Sequence, residues 1–217
     1  MDLLYDSAAI LFTGLKYNIV LTSLAILIAL PISCLFAIAR LSKFPFLYYP
    51  ATVYINVLRS SPLLMVLFWV YYTIPMLIGR EVNVFYAALA AIAAFEVAYF
   101  AEFIRSGIQS IVAVQRSAGL ATGLRSWQVT VFIILPQALR KMLPSLLTQS
   151  IIAFQDSTLA SVIGVREIFQ TTKIINSREM KPLLLYTFLA IVYFIMCYSL
   201  SRLVREIERR TERKIAA

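Results

Sequence analysis

Residues 19–39 read IVLTSLAILIALPISCLFAIA and contain no charged side chain. Arg40 and Lys43 close this run. The hydrocarbon core of a bilayer is about 30 Å thick, and an α-helix needs about 20 apolar residues to cross it. The run therefore predicts a membrane-spanning helix with a basic end.

Four further apolar stretches follow, at residues 62–78, 85–104, 142–165 and 183–200. Residues 44–58 are rich in aromatic side chains and are interrupted by Pro45 and Pro50. That composition is typical of a segment lying at the membrane interface rather than crossing it. The pattern predicts an all-α membrane protein with five transmembrane helices and with its termini on opposite sides.

The composition agrees with a membrane protein. Hydrophobic residues make up 61% of the 217 residues and charged residues 14%, against about 45–50% and 25% in soluble domains. The mean hydropathy is +0.82. We assign the net charge of +9 to basic loops beside anionic lipid headgroups, and not to nucleic-acid binding.

Several chemistries are excluded by residue type. The chain has no histidine, so histidine-based catalysis and metal binding are absent. Cys34 and Cys197 lie in apolar runs and are predicted to be buried small residues. No P-loop motif occurs, so ATP hydrolysis is not expected in this chain. An intramembrane enzyme is disfavoured, because no nucleophile–base pairing is recognisable.

Basic residues predict the orientation. With the C-terminus inside, the inner segments hold 14 of the 20 lysines and arginines and the outer segments hold 6. Because cytoplasmic loops carry an excess of Lys and Arg, we expect the N-terminus outside and the C-terminus in the cytoplasm.

A polar cluster interrupts the fourth apolar stretch. It comprises Gln155, Asp156, Ser157 and Thr158. Only 14 residues separate Lys141 from Asp156, about 21 Å of helix, so the cluster is predicted at membrane depth, where the helix breaks. Polar residues there indicate a translocation path or gate. The alternative is that Asp156 caps a short helix through Thr158 without touching a ligand.

The third span carries charged residues of its own. Glu102 and Arg105 are three residues apart and are predicted to form a structural ion pair. Glu96 has no basic residue within four positions. It must find a partner on another helix, face water or be protonated, and we treat it as a candidate path or gate residue.

The longest inner segment, residues 105–141, holds a run of small residues. Ser117, Ala118, Gly119 and Gly123 belong to it, and Pro136 follows thirteen residues after Gly123. Small side chains leave a helix surface that another body can approach closely. The pattern predicts a docking surface at about residues 107–136.

This segment resembles the coupling-loop signature of bacterial ATP-binding-cassette (ABC) importer permeases, E-A-A-x3-G-x9-I-x-L-P. Here it reads Ser117-Ala118-Gly119, three residues, Gly123, nine residues, then 133–136 as Ile-Ile-Leu-Pro. Ser117 replaces the glutamate and Gly119 an alanine. The resemblance implies that this segment contacts an ATPase subunit.

Three further segments resemble the polar amino acid branch of that family, most closely one permease subunit of glutamate/aspartate importers. They are residues 59–64, 99–107 and 155–159, the first beginning at Arg59, a candidate path residue. The resemblance spans about residues 15–205, with an outer segment 1–14 before it and a basic cytoplasmic tail 206–217 after it.

The resemblance implies a location in the bacterial inner membrane and a defined set of partners. They are a second permease subunit, two ATP-binding subunits that hold ATP and magnesium, and a periplasmic or tethered solute-binding protein. The loss of the glutamate at position 117 favours a heterodimer of permeases. The alternative function is a secondary transporter driven by an ion gradient, with Glu96 and Asp156 as its ion relay.

Overall fold

The computed structural model describes residues 3, 5, 7–111 and 113–216, without the side chains of 113–114 and 210–216. Within this part every element is helical, which confirms the all-α prediction. In order they are α1 (Ala8–Leu41), α2 (Pro45–Ser60), α3 (Leu63–Ile78), α4 (Val84–Gln109), α5 (Ala113–Ala121), α6 (Ser126–Gln128), a π-helix (Val129–Ile134), α7 (Leu135–Asp156), a 3₁₀ segment (Ser157–Ile163), α8 (Ile168–Glu179) and α9 (Pro182–Ala216). Parts of the predicted segments 1–14 and 206–217 lie outside the described residues.

Four stretches are long and apolar enough to cross a bilayer: α1, α4, residues Ser126–Ile163 and residues Pro182–Arg209. A fifth crossing exists only when α2 and α3 are taken together, and these two helices are bent by 113°. Alone, α3 has 16 residues, about 24 Å of helix. The predicted second span is therefore one arm of a bent pair and not an independent full-length crossing.

The first helix begins at Ala8, well ahead of the start predicted at residue 19. Asn18 lies inside this helix and is fully buried, and its amide contacts other segments of the chain. Cys34, predicted to be buried, is exposed on the surface of α1.

The core is centred on α4, whose buried side chains are mostly small. They include Ala87, Ala88, Ala91, Ala98 and Ala101. Small residues let neighbouring helices approach closely, which is how membrane helices gain packing energy. α1 contributes buried alanines of its own, and α3 and α7 pack on other sides of α4.

A tight turn joins α3 to α4. Gly79 ends α3 with a φ of 72°, a left-handed conformation that glycine adopts without steric cost. Asn83 then caps α4, because its Oδ1 accepts a hydrogen bond from the backbone N–H of Phe85 at 2.9 Å.

Candidate translocation site and coupling segment

The helix breaks where the polar cluster predicted it. α7 ends at Asp156 and the chain continues as a 3₁₀ segment from Ser157 to Ile163, which confirms the predicted break. The side chain of Asp156 makes no capping hydrogen bond, so the predicted cap through Thr158 is wrong. The hydroxyl of Thr158 donates instead to the backbone O of Gln155 at 2.8 Å, which satisfies this hydroxyl locally.

Ser157 ties the break to the first span. Asn18 Nδ2 donates to Ser157 Oγ at 2.9 Å, and Asn18 Oδ1 accepts from the backbone N–H of Ile168 at 3.0 Å. Four residues earlier on the same face of α1, a Cβ on Gly14 would lie 2.9 Å from Ile168 Cα. We call Gly14, Asn18, Ser157 and Ile168 the asparagine clamp. It joins α1, the break and the start of α8 through neutral groups.

Gln155 and Thr158 point away from this clamp. They line an open groove of about 590 Å³ beside α9. The groove is completed by α9 residues of mixed polarity: Ala190, Tyr193, Phe194, Cys197, Tyr198, Ser201 and Arg205. The four residues of the polar cluster therefore do not share one site, since Ser157 faces the core while Gln155 and Thr158 face the groove.

Three arginines converge on Glu102. Arg40 and Arg105 form ion pairs with its carboxylate, and Arg59 Nη1 lies 3.7 Å from Glu102 Oε1. Arg105 Nε also donates to Glu102 Oε2 at 3.1 Å. The predicted pair of Glu102 and Arg105 is thus part of a larger group, which we call the arginine cluster. Three positive charges face one negative charge there.

The arginines of this cluster differ in exposure. The side chain of Arg40 is 14% exposed and that of Arg59 is 38% exposed. Arg59 also stacks over the ring of Tyr99, with its guanidinium carbon 5.5 Å from the ring centroid. Because Arg59 stands at the bend between α2 and α3, it is the member of the cluster most open to a passing molecule.

Glu96 is held away from both the groove and the cluster. It is fully buried on α4, and Gln149 Nε2 of α7 lies 3.1 Å from Glu96 Oε2 and 3.4 Å from Oε1. Sequence reasoning did not identify Gln149. In the sequence Gln149 is recognisable only as an amide side chain in an apolar run, and nothing there shows which helix it faces.

The coupling segment differs from its prediction in one residue. Ser117 and Ala118 are exposed on α5, whereas Gly119 is buried. A Cβ on Gly119 would lie 2.9 Å from Ile133 Cδ1 and 3.0 Å from Val129 Cγ1. Gly119 therefore lets α5 pack on the π-helix of its own chain, while Ser117 and Ala118 stay exposed on α5.

The remaining residues of the motif have backbone roles. Gly123 has a φ of 84° in the turn after α5, and nothing lies within 4 Å of a Cβ built on it. Its small size is needed for the conformation and not for a close contact. Pro136 lies at the junction of the π-helix with α7, where its missing N–H removes one donor from an otherwise continuous helix. No group of metal-binding side chains occurs among the described residues.

Known proteins are similar to this chain in sequence. Residues 29–213 match the family described as the binding-protein-dependent transport system inner membrane component. The glutamate/aspartate import permease protein GltK of Escherichia coli O6:H1 is 39% identical over 208 residues and 93% of each chain. The probable glutamine ABC transporter permease protein GlnP of Bacillus subtilis is 32% identical, over 94% of this chain and 95% of its own.

Solved structures agree with the sequence relatives. The crystal structure of an amino acid ABC transporter with histidines has a TM-score of 0.91 and 30% identity, over 95% of this chain and 96% of that chain. The inward-facing MetNI methionine ABC transporter has a TM-score of 0.70 at 17% identity, over 93% and 94% of the two chains, and supports the fold alone. This chain therefore belongs to the inner membrane components of binding-protein-dependent transport systems, as a permease subunit of the amino acid ABC importer type.

Proposed function

We propose that this permease carries acidic amino acids, glutamate and aspartate, into the cytoplasm. The arginine cluster is the observation that carries the proposal, because three arginines surround a single glutamate there and positive charge is in excess. Among relatives, 39% identity to a glutamate/aspartate permease exceeds the 32–33% found for glutamine permeases.

The physical reason is the cost of moving a second carboxylate through a membrane. An acidic amino acid carries one more negative charge than glutamine, and a charge inside a bilayer is expensive unless it is paired. Arg59 offers several N–H donors in a planar fork that matches a carboxylate. Its partial exposure leaves room for that contact. We assign the polar groove at Gln155 and Thr158 to the same path.

Energy for transport is assigned to partner subunits. In this proposal two ATP-binding subunits hold ATP and Mg²⁺, and Ser117 and Ala118 on α5 contact one of them. ATP binding closes those subunits, which shifts the permease between outward-open and inward-open states. A solute-binding protein delivers the amino acid. A carrier driven by an ion gradient is not favoured, since Glu96 is enclosed by α4 and α7.

Uptake by the purified complex in proteoliposomes tests the substrate. With solute-binding protein and ATP present, excess unlabelled L-aspartate should compete with labelled L-glutamate, and L-glutamine should not. Arg59→Gln should lower uptake by about tenfold, which corresponds to about 1.4 kcal/mol, and Arg59→Lys should lose less. Arg80→Gln, on an exposed outer turn, is the matched control. Equal competition by L-glutamine would reject acidic specificity.

The second permease subunit is proposed to be a different chain. The serine at position 117 supports this idea, because the family motif has a glutamate there. Co-expression of this chain with the ATPase and the binding protein, without another permease, should give no uptake. Full uptake from that combination would indicate a homodimer.

The orientation is proposed from the 14-to-6 distribution of basic residues. Single cysteines in a background lacking Cys34 and Cys197 can be labelled with an impermeant maleimide on spheroplasts. Positions 80 and 173 should react, while positions 116 and 209 should react only after the membrane is opened. The reverse pattern would invert the topology.

A further inference from the structure

The two helices that flank the coupling segment are fastened to each other at three levels. α4 leads into α5, and the chain returns through the π-helix into α7. At the inner end, Lys141 Nζ donates to the backbone O of Ser110 at 3.1 Å. Further up, a Cβ on Gly107 would lie only 2.8 Å from Met142 Cβ. The third contact is the hydrogen bond between Gln149 and Glu96.

This third contact is the most enclosed of the three. Glu96 is 0% exposed and Gln149 is 4% exposed. Among the described residues no cation forms an ion pair with Glu96, so the amide is its side-chain partner. Separating or sliding the two helices would leave both groups without a hydrogen bond in a nonpolar interior, which is strongly unfavourable.

The contact also lies close to the helix break. Gln149 is seven residues before Asp156, about 10 Å along α7, and α7 ends at Asp156. A force applied at α5 acts on α4 and α7 together through the inner contacts. Whether that displacement reaches Ser157 depends on how firmly the two helices are joined at the level of Glu96.

We propose that the hydrogen bond between Glu96 and Gln149 makes α4 and α7 one rigid unit, so that movement of α5 reaches the break at Ser157. Glu96 is then a positioning residue that couples ATP hydrolysis to opening of the path, and it does not contact the amino acid. The inference rests on the proposed contact between α5 and the ATPase.

The experiment replaces both partners at once in the full complex. Glu96→Leu with Gln149→Leu leaves no unpaired polar group, so the protein should still fold. In proteoliposomes, ATPase activity stimulated by loaded binding protein should stay within about twofold of wild type. The number of amino acids imported per ATP should fall at least about tenfold. Wild-type import per ATP in this variant would overturn the inference.

Two variants that keep the hydrogen bond provide the control. In Glu96→Gln the new amide oxygen still accepts from Gln149, and in the exchange Glu96→Gln with Gln149→Glu the bond reforms with donor and acceptor reversed. Both should import at near wild-type efficiency per ATP. If the leucine pair fails to accumulate in the membrane, these two variants test the proposal instead. Uncoupled transport in either of them would contradict the coupling role of the hydrogen bond.

A failure of the coupling segment would look different. Ala118→Trp adds bulk on the exposed face of α5 and should release the ATPase subunits and abolish stimulated ATP hydrolysis. The leucine pair should keep both the bound ATPase subunits and the stimulated ATP hydrolysis. If Ala118→Trp changes neither, the contact proposed for α5 is wrong. If Ala118→Trp releases the ATPase subunits but the leucine pair behaves as wild type, the role proposed for Glu96 is wrong and the contact proposed for α5 is kept.

Discussion

The arginine cluster and the asparagine clamp both join three segments of the chain, but they do so with different chemistry. The cluster ties α1, α2 and α4 through charges that do not balance and remain partly exposed. The clamp ties α1, the break and α8 through neutral groups that are fully enclosed. Desolvating an amide costs far less than desolvating an ion. The comparison indicates that charged groups are retained where the site stays partly exposed, and that neutral groups suffice where helices are held together in the enclosed interior.

Glu102→Leu should produce the largest effect. The substitution removes the carboxylate shared by Arg40, Arg59 and Arg105. The remaining arginines would be uncompensated, and their partial exposure should keep the cost near the lower end of the about 3–5 kcal/mol that is typical when one member of a buried ion pair is removed. The free energy of unfolding of the detergent-purified complex should fall by about that amount. Glu179→Leu, at the exposed end of α8, serves as the control.

Asn18→Leu should be milder than Glu102→Leu. It leaves the backbone N–H of Ile168 without its partner, which costs about 1–3 kcal/mol. Ser157 Oγ keeps its bond to the backbone O of Phe154 at 2.7 Å. The same unfolding measurement applies. If the two variants lose equal stability, the contrast between charged and neutral ties is wrong.

Gly14→Ala should sharpen the description of the clamp. A Cβ there would lie 2.9 Å from Ile168 Cα and 3.0 Å from its backbone N, atoms that cannot rotate away. Such overpacking typically costs about 1–3 kcal/mol. Gly119→Ala meets only side-chain ends of Val129 and Ile133 and should cost less. Comparing the melting temperatures of the two alanine variants checks the order.

A further difference between the two regions concerns the effect of pH at the start of α8. Glu167 caps α8 by accepting from the N–H groups of Phe169 and Gln170. Burial raises the pKa of Glu167 from 4.5 to about 7, opposed by these two hydrogen bonds, by Asn18 and by the charge of Lys173. The folded state therefore holds this proton more tightly than the unfolded state.

The sign of the pH effect follows from that shift. Stability should be highest below about pH 4.5, should fall as the pH rises to about 7, and should stay lower above it. Glu167→Gln should flatten this part of the stability curve, measured as melting temperature between pH 5 and 8. A wild-type curve that rises across this interval would contradict the prediction.

Local signals in the sequence predicted the helical class, most of the spans and the break at Ser157. Each of these depends on hydropathy or on length along one helix. Contacts between distant segments could not be predicted in the same way. Asn18 and Ile168 are 150 residues apart, and Gln149 and Glu96 are 53 apart. The burial of Gly119 could not be predicted for the same reason. A run of small residues indicates close packing, but it does not show which segment or protein packs there.

The short length of α3 has a consequence for the surrounding lipid. Its 16 residues reach about 24 Å, whereas the hydrocarbon core measures about 30 Å. Trp69 and Tyr72 are exposed along it, and Met76 and Leu77 lie near its end. Because α3 supplies only part of a crossing, any lipid that faces it alone would have to thin to meet its ends, at a cost of a fraction of a kcal/mol per ångström of mismatch. We therefore expect import to depend on bilayer thickness, which proteoliposomes made from lipids of shorter and longer acyl chains would test.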